Sequence, residues 1–537
     1  MISVSNAWKA KQNQTLLPEM FVEVTYTATE PGLQWDASVS GNYPEPYSSL
    51  DKIVSIEDMV SEKYATLDYG AWGLDGSYGY SDGSPSNQGY VDTNYSTDDG
   101  SMEVSPYPTI TISFTERRDI LIPGLTVTWS EDFGGWATSF RVSAYNSTGM
   151  IAQKTITDNT SPVSEVWIDL IEYTRITVEV LAWSHPYQRV RCTDIRLGIK
   201  VVYTKSDLLN YSYKQSVDLL SATLPNGEVS FSLRNDDNRW NPDNPTGSEK
   251  YLLEQQEVRV RYGMDINGTT EWIKGGTFWL SEWSTPSNGL EASFTARDAT
   301  SLLLSMYTGV RTGTLYDIAT AAFIEADLPI MDDGSLRYVV HESLQEIETD
   351  FLENTQNYSI AEILQMVAHA GTCVFYQDRD GRVRIEPWND VYSGYMIEPT
   401  ISYAHPEYTI NKPLKSVSVG YGNDLRAVVN VDSKGEVQTI DNPLIRTMED
   451  ATRVGKKAKE ILVNRKVISG EFRADMRLDA LDNIVVVSKY ASNIIGITEV
   501  SYSTTGSAFK GTYKGRVVSV ELASISAYSG ELYVGES

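Results

Sequence analysis

The sequence predicts a mainly β chain with minor α, divided into several domains. Three observations lead there. Apolar and polar residues alternate across many short segments, as at Val229, Phe231 and Leu233 and again at Leu290, Ala292, Phe294 and Ala296, the period of half-buried strands. Helical periodicity is confined to a few stretches, such as Leu315, Ile318, Ala319, Ala322 and Phe323 on one face. The 537 residues suffice for about three or four domains, and a hydrophobic share of 41 % can supply real cores.

Two of the strand signals read as neighbours split apart, Phe21 to Tyr26 and Ile199 to Thr204. The first leads into a stretch of different character and the second leads into a barrel. Residues 31–198 are therefore expected to be inserted into a domain made of 1–30 and 199–305, since insertion is tolerated where chain ends lie close together at a surface. Residues 31–107 are rich in Gly, Ser, Asp, Asn and Tyr. Segment 68–100 would suit disorder by composition, but Trp72 and its many tyrosines argue for a packed, irregular loop. From 108 onward the pattern is clear β, with strands around Ile110–Phe114, Leu125–Trp129, Phe140–Tyr145, Val166–Leu170, Ile176–Leu181 and Val190–Ile199. Strands at this spacing suggest a sandwich.

In the barrel, Asn235 to Asn238 form a turn cluster, and two Asn/Asp-Pro steps follow at Pro242 and Pro245. Val258, Val260 and Tyr262 make the next alternating strand. The result is a small antiparallel barrel with one long loop pinned by proline. A second, α+β domain is expected over 306–413. It opens with the helix after Thr314 and carries a second helix with a Ser359/Glu362 capping box, an apolar stripe through Ile360, Ile363, Leu364, Val367 and Ala370, and a stop at Gly371. Asp378-Arg379-Asp380-Gly381 then turns a hairpin between Val374–Tyr376 and Val383–Ile385. A last domain is expected over 414–537: a strand at Leu414–Tyr421, a helix capped by Thr447 with Ala451, Val454, Ala458 and Ile461 on one face, then barrel strands from Phe472 to Val520.

The order of these pieces resembles the tail hub proteins of long-tailed bacteriophages, which are similar to the central baseplate hub of contractile tails. The resemblance rests on the strand ending in Leu233-Arg234-Asn235, on Arg239-Trp240-Asn241-Pro242, on the strands Glu257–Tyr262 and Gly276–Leu280, on the helix followed by the 378–381 hairpin, and on Asp441-Asn442-Pro443-Leu444-Ile445 before a helix and barrel. It covers roughly 1–30 and 199–537. The inserted stretch resembles a different family, the galactose-binding-like jelly rolls, through Trp72 to Ser77, the strand through Phe114, Pro123-Gly124-Leu125, and Trp183-Ser184-His185-Pro186 running into Arg189, Arg191 and Ile195. The resemblances imply β-barrel hub domains, an α/β hub domain and an inserted β-sandwich. They imply a homotrimeric ring at the virion tail tip that meets a distal tail ring, a tape measure, and fibres or a tip protein, with a host glycan as ligand of the outward sandwich.

Composition narrows the chemistry. A formal charge of −28 makes tight wrapping of nucleic acid a poor prospect, because that requires clustered Lys and Arg against phosphate; an acidic wall would instead let passing DNA slide. Cys192 and Cys373 are far apart and fit no metal or disulfide spacing, so both are expected to be buried free thiols of a protein made in a reducing cytoplasm. No apolar leader follows Met1 and no apolar run is long enough to span a bilayer. No cofactor is implied. The four histidines fit no metal motif, and His369, near the end of its helix, is expected to complement the helix dipole. The carboxylate pairs Asp98-Asp99, Asp236-Asp237 and Asp332-Asp333 sit in turns, where Asp favours local hydrogen bonds over catalysis. No nucleophile elbow or phosphate loop is present, and no added lytic domain is expected after the last strand.

The ligand signal is aromatic. With 33 Tyr and 12 Trp, the chain is rich in rings that carry a polar handle. Trp136, Trp183, Tyr187 and Arg189 lie at or near strand ends of the sandwich and form the expected glycan site; Trp129 and Trp167 read as core, and Trp136 and Trp183 fit either role. Trp240, Asn241, Pro242 and Pro245 are expected to form a rigid loop at a subunit contact, anchored by Trp240. The competing readings are a carbohydrate-binding adhesin without a hub role, in which the sandwich alone is active, and a glycan-degrading enzyme, which would depend on one carboxylate.

Overall fold

The computed structural model describes the chain except residues 15–18, 31–32, 55–63, 67, 72, 74, 77, 80–87, 131–132, 245–246, 287–289, 332–334, 351–357, 390, 423, 506–507 and 519–537. The fold is mainly β with four helices among the described residues. Trp72, Pro245 and the Asp332-Asp333 pair lie outside the described residues.

Three cores organise the molecule. The first belongs to one thirteen-stranded sheet. Strand Met20–Ala28 pairs antiparallel with Ile199–Tyr203 on one side (Thr25 opposite Val202) and with Glu257–Ile266 on the other (Val24 opposite Val260). The two separated strand signals are thus neighbours in space. From there the sheet runs through Thr269–Ser284, Glu291–Arg297, Asn226–Arg234 and Leu208–Ser216. Leu208–Ser216 then pairs with Ser492–Thr505, which leads on to Ala508–Val517 and Lys466–Arg473. Inward residues from both ends of this path, among them Tyr211, Tyr262, Phe472 and Tyr502, share one cluster, so the sheet wraps a common interior. Helix α1 (Asn6–Gln12), capped by Ser5, adds the buried Trp8 to it.

The second core holds α2 (Leu315–Ala326), α3 (Ile360–Ala370) and α4 (Met448–Leu462) with the hairpin Cys373–Gln377/Val383–Pro387. Capping boxes start α2 at Thr314/Asp317 and α3 at Ser359/Glu362, satisfying helix N–H groups that would otherwise lack partners. Gly371 ends α3 with φ of −79°, and Thr372 takes the left-handed turn at +56°. The glycine serves a close approach instead: a Cβ there would stand 2.1 Å from Leu344 Cδ2.

The described residues of 414–537, expected as a domain with a helix and a barrel, contribute to two cores. The sheet of Leu414–Tyr421, Leu425–Asn430 and Glu436–Ile440 with α4 buries Val417, Val419, Ala451 and Val454 in the second core, and Asn442 Nδ2 donates to the Met366 carbonyl of α3 at 2.8 Å. The strands Lys466–Arg473, Asn483–Val487, Ser492–Thr505 and Ala508–Val517 return to the first sheet. The apolar face of α4 packs on the strands Leu414–Tyr421 and Leu425–Asn430 that precede it, with Gly455 against Val419 and Val429.

The third core lies within residues 33–197. A five-stranded sheet (Ala37–Gly41, Thr109–Arg118, Tyr173–Trp183, Ala137–Asn146, Gly149–Ile156) faces a four-stranded one (Tyr90–Tyr95, Arg189–Leu197, Ile122–Trp129, Val163–Leu170). Ile112, Phe140 and Val178 from the first meet Leu125, Val127 and Trp129 from the second. Tyr90–Tyr95, inside the segment read as an irregular loop, is a paired strand. The chain enters and leaves through a neck at Ala28 and Gly198: Gly198 has φ of +117°, and a Cβ on it would lie 2.4 Å from the Ala28 carbonyl oxygen. Away from the neck, Lys250 Nζ and Tyr251 Oη both bind Asp169 of the sandwich, at 3.0 and 2.5 Å.

Candidate functional site

Strand Arg189–Leu197 carries two arginines toward one end of the sandwich, at a β-bulge between positions 189 and 191. Arg191 is buried, with its guanidinium over the Phe133 ring at 4.1 Å, donating to Tyr64 Oη at 2.7 Å and to Asp68 Oδ2 at 2.9 Å. Burial alone would pull its pKa down; Tyr64 and Asp68 outweigh that and hold it above its ordinary value. Arg189, nearer the surface, pairs with Glu45 at 3.0 Å and the same Asp68 at 3.5 Å, and donates to Tyr47 and Tyr95 hydroxyls. Asp68 therefore bridges both arginines. A carboxylate with so little exposure is tolerated because it is paired and hydrogen-bonded.

The expected aromatic site separates into parts. Trp183 is 3 % exposed, edge-on to Trp129 at 5.9 Å, with Nε1 donating to Gln188. It is a core residue and offers no free face, because the Tyr173–Trp183 strand ends with this position turned inward. Trp136 is half-buried, donates Nε1 to the Asn159 carbonyl at 3.1 Å and lies edge-on to His185. Tyr187 is 52 % exposed on a turn with φ of +54°. Its ring meets that of Tyr69, itself 69 % exposed, edge-on at 6.5 Å, and the Tyr69 N–H donates to the Tyr187 carbonyl. The outward aromatic surface is thus Tyr69 with Tyr187, beside the Arg189–Tyr95 stack at 4.8 Å. Sequence reasoning missed Tyr69, Asp68 and Tyr95; the tyrosine-rich composition of 31–107 was their only signal. Trp167, expected in the core, faces outward at 41 % exposure and donates to Glu165. It shares strand parity with Val163 and Glu165, whereas Val166 points inward.

The proline loop is anchored as a chain of turns. Trp240 is buried edge-on against Phe294 at 5.2 Å, and its N–H donates to Oδ1 of buried Asn235 at 3.0 Å. Asn241 accepts from the Asp243 N–H at 3.0 Å and Pro242 is exposed. The same loop reaches Asp169 through Lys250 and Tyr251.

At the junction of the first two cores sits Arg379, the second residue of the 378–381 turn. Its guanidinium binds Asp479 Oδ1 at 2.6 Å and donates to the carbonyls of Met476, Leu478 and Lys274. Burial alone would depress its pKa, but Asp479 and the surrounding Tyr213, Tyr502 and Tyr262 rings hold it well above the ordinary value. A cavity of about 410 Å³ lies beside it. The charges lining that cavity are compensated: Asp482 by the terminal ammonium of Met1, and Glu386 by Tyr376 Oη and Arg384.

No family model and no curated protein matches the chain. Solved structures that resemble it include the 43 kDa tail protein of prophage MuSo2 from Shewanella oneidensis, at TM-score 0.41 and 14 % identity over 59 % of this chain and 94 % of that one. A tail protein from Neisseria meningitidis MC58 gives 0.40 and 10 % over 60 % and 94 %. The prophage tail protein gp18 from Listeria monocytogenes EGD-e gives 0.40 and 9 % over 58 % and 91 %. At these scores the likeness is partial and assigns neither family nor role.

The remaining candidate groups are structural. Asp99 accepts from Thr97 and Ser101, and Asp237 binds Arg239, both within turns. Burial lowers the pKa of His369, so its neutral form is favoured and the expected dipole-complementing cation is not what the site selects. Cys192 and Cys373 are buried and free. Among the described residues no cluster of His, Cys, Asp or Glu could hold a metal ion, and no helix is long and apolar enough to cross a membrane.

Proposed function

We propose that the chain is a structural hub protein of a phage tail tip. Its barrels assemble, as a ring of three, to close the distal tail tube against a distal tail ring, a tape measure and fibres or a tip protein. The inserted sandwich projects from this ring toward a host glycan or a fibre. The observation that carries the reading is the continuity of one sheet through both barrels, from Ile199–Tyr203 to Lys466–Arg473, while the sandwich keeps its own core behind a two-chain neck. That is the build of a stiff scaffold with an appended recognition module. The sequence resemblance at Arg239-Trp240-Asn241-Pro242 and at the 378–381 hairpin falls on the two places that brace the scaffold: Trp240 against Phe294, and Arg379 against Asp479. The exposed part of the 240–245 loop is the proposed subunit contact.

Light scattering and negative-stain imaging of the purified chain test this. Rings of three 59.9 kDa subunits are expected. A strict monomer at every concentration, also when mixed with tail tubes, overturns it.

The Tyr69–Tyr187 pair favours a second reading, a carbohydrate-binding protein without a hub role. Sugars stack on tyrosine faces, and Arg189, stacked on Tyr95, follows Tyr187 by two residues. Glycan-array binding by a chain that never assembles would select it.

A further inference from the structure

A groove of about 260 Å³ runs between the loop 216–224, the end of α4 and the strand Ala508–Val517. Its apolar wall includes Leu462, Val467 and Leu224, the last 42 % exposed. Its other wall carries Lys514 and Arg516. Neither cation has an ion pair among the described residues. The one acid in the lining, Asp218, accepts from the backbone N–H groups of Leu220 and Ala222 at 3.0 and 3.2 Å and acts on the Arg516 charge. Arg516 is partly buried, donates to the Asn464 carbonyl at 3.3 Å and is pulled below its ordinary pKa by burial. In a chain of charge −28, Lys514 without an ion pair among the described residues, and Arg516 only partly offset by Asp218, beside an exposed leucine ask for an acidic, apolar occupant.

The chain itself supplies one. The strand leaves the groove's lip at Val518, whose N–H donates to the Ile494 carbonyl at 3.1 Å. The residues that follow, 519–537, contain Glu521, Glu531 and Glu536 and no Lys or Arg. Val520, Leu522, Ile525, Leu532 and Val534 supply apolar side chains. At about 3.3 Å per extended residue, the segment can reach any point of the groove. We propose that the groove is the docking site of the chain's own C-terminal segment, which sets apolar side chains against Leu224 and Leu462 and its glutamates against Lys514 and Arg516. The tether holds the segment at an effective concentration on the order of millimolar, so modest intrinsic affinity suffices. Nothing in this depends on the tail-tip reading.

Hydrogen exchange by mass spectrometry on the full chain tests it, with a synthetic peptide of residues 519–537 as reference. Amides of 519–537 are expected to exchange about tenfold or more slowly in the chain than in the peptide. In Leu224→Asp/Lys514→Glu, which alters two exposed side chains, they should return to the peptide rate while Met20–Ala28 amides stay as slow as before. Glu521→Lys in that background is expected to restore part of the protection. Peptide-like exchange in the unaltered chain overturns the proposal, as does protection that survives in the double variant. Protection that rises with protein concentration also overturns it, since the occupant would then be the segment of another copy.

Discussion

Arg379 and Asp479 form an ion pair, 2.6 Å from Nε to Oδ1, that joins two of the three cores. Arg379 belongs to the hairpin of the helical core and Asp479 to the segment that enters the last barrel strands. Three backbone carbonyls accept three of the four remaining guanidinium N–H groups, so the buried charge is well partnered.

Arg379→Met is expected to destabilise the protein strongly, by about 3–5 kcal/mol, because it strands the Asp479 carboxylate and three carbonyls. Pairing it with Asp479→Leu should recover part of the loss, since an apolar pair costs less than an orphaned ion. Urea unfolding of the single and double variants measures the difference; equal loss in both would show that the pair itself is not the source.

Trp183→Ala and Tyr187→Ala should behave oppositely. Removing the buried indole is expected to cost about 3–5 kcal/mol through the cavity it leaves, read as a lower melting temperature. Removing exposed Tyr187 should change stability by less than about 0.5 kcal/mol and abolish binding to any glycan the sandwich recognises.

Asp298 gives the fold a pH dependence of its own. Burial pushes its carboxyl from 3.8 up to about 6, against hydrogen bonds from Thr300 that favour the charge. A raised folded pKa means that the folded state holds the proton longer than the unfolded one. Its contribution to stability is therefore full below the unfolded value, falls as pH rises through about 6 and is level above it. Asp298→Asn keeps an acceptor for the Thr300 N–H and removes the charge. It should flatten this slope and raise stability at neutral pH by roughly 2 kcal/mol, seen in denaturation midpoints at pH 4.5 and 7.5. An unchanged slope would place the titration elsewhere.

Gly198→Ala is expected to loosen the neck. The new methyl group would meet the Ala28 carbonyl at 2.4 Å on a backbone at φ +117°, a conformation costing about 1–3 kcal/mol for a residue with a side chain. Limited proteolysis should cut near residues 28 and 198 faster in the variant, while the sandwich and the barrels each stay resistant. Uniform proteolysis across the chain would instead indicate global destabilisation.

What was legible in the sequence was local. The two-residue alternation placed Val229, Phe231 and Leu233 inward in a strand, and Ser359 with Glu362 marked the start of α3. The 378–381 turn joined the two strands expected on either side of it, and the strand signals at 21–26 and 199–204, read as neighbours split apart, pair. All but the last of these are settled by backbone hydrogen bonding and side-chain parity over a few residues; the pairing of 21–26 with 199–204 spans the inserted stretch.

The tertiary structure decided which partner each apolar face met. It set α4 on the strands Leu414–Tyr421 and Leu425–Asn430 that precede it and joined them to the helical core, not to the barrel strands that follow. It turned Trp183 into the sandwich and Trp167 out of it, and it gathered Asp68, Arg189 and Arg191 from distant segments into one charge cluster. Periodicity records that a face is buried. It does not record against what, because burial is non-directional, and the partner is fixed only when complementary shapes and paired charges from remote parts of the chain close on one another.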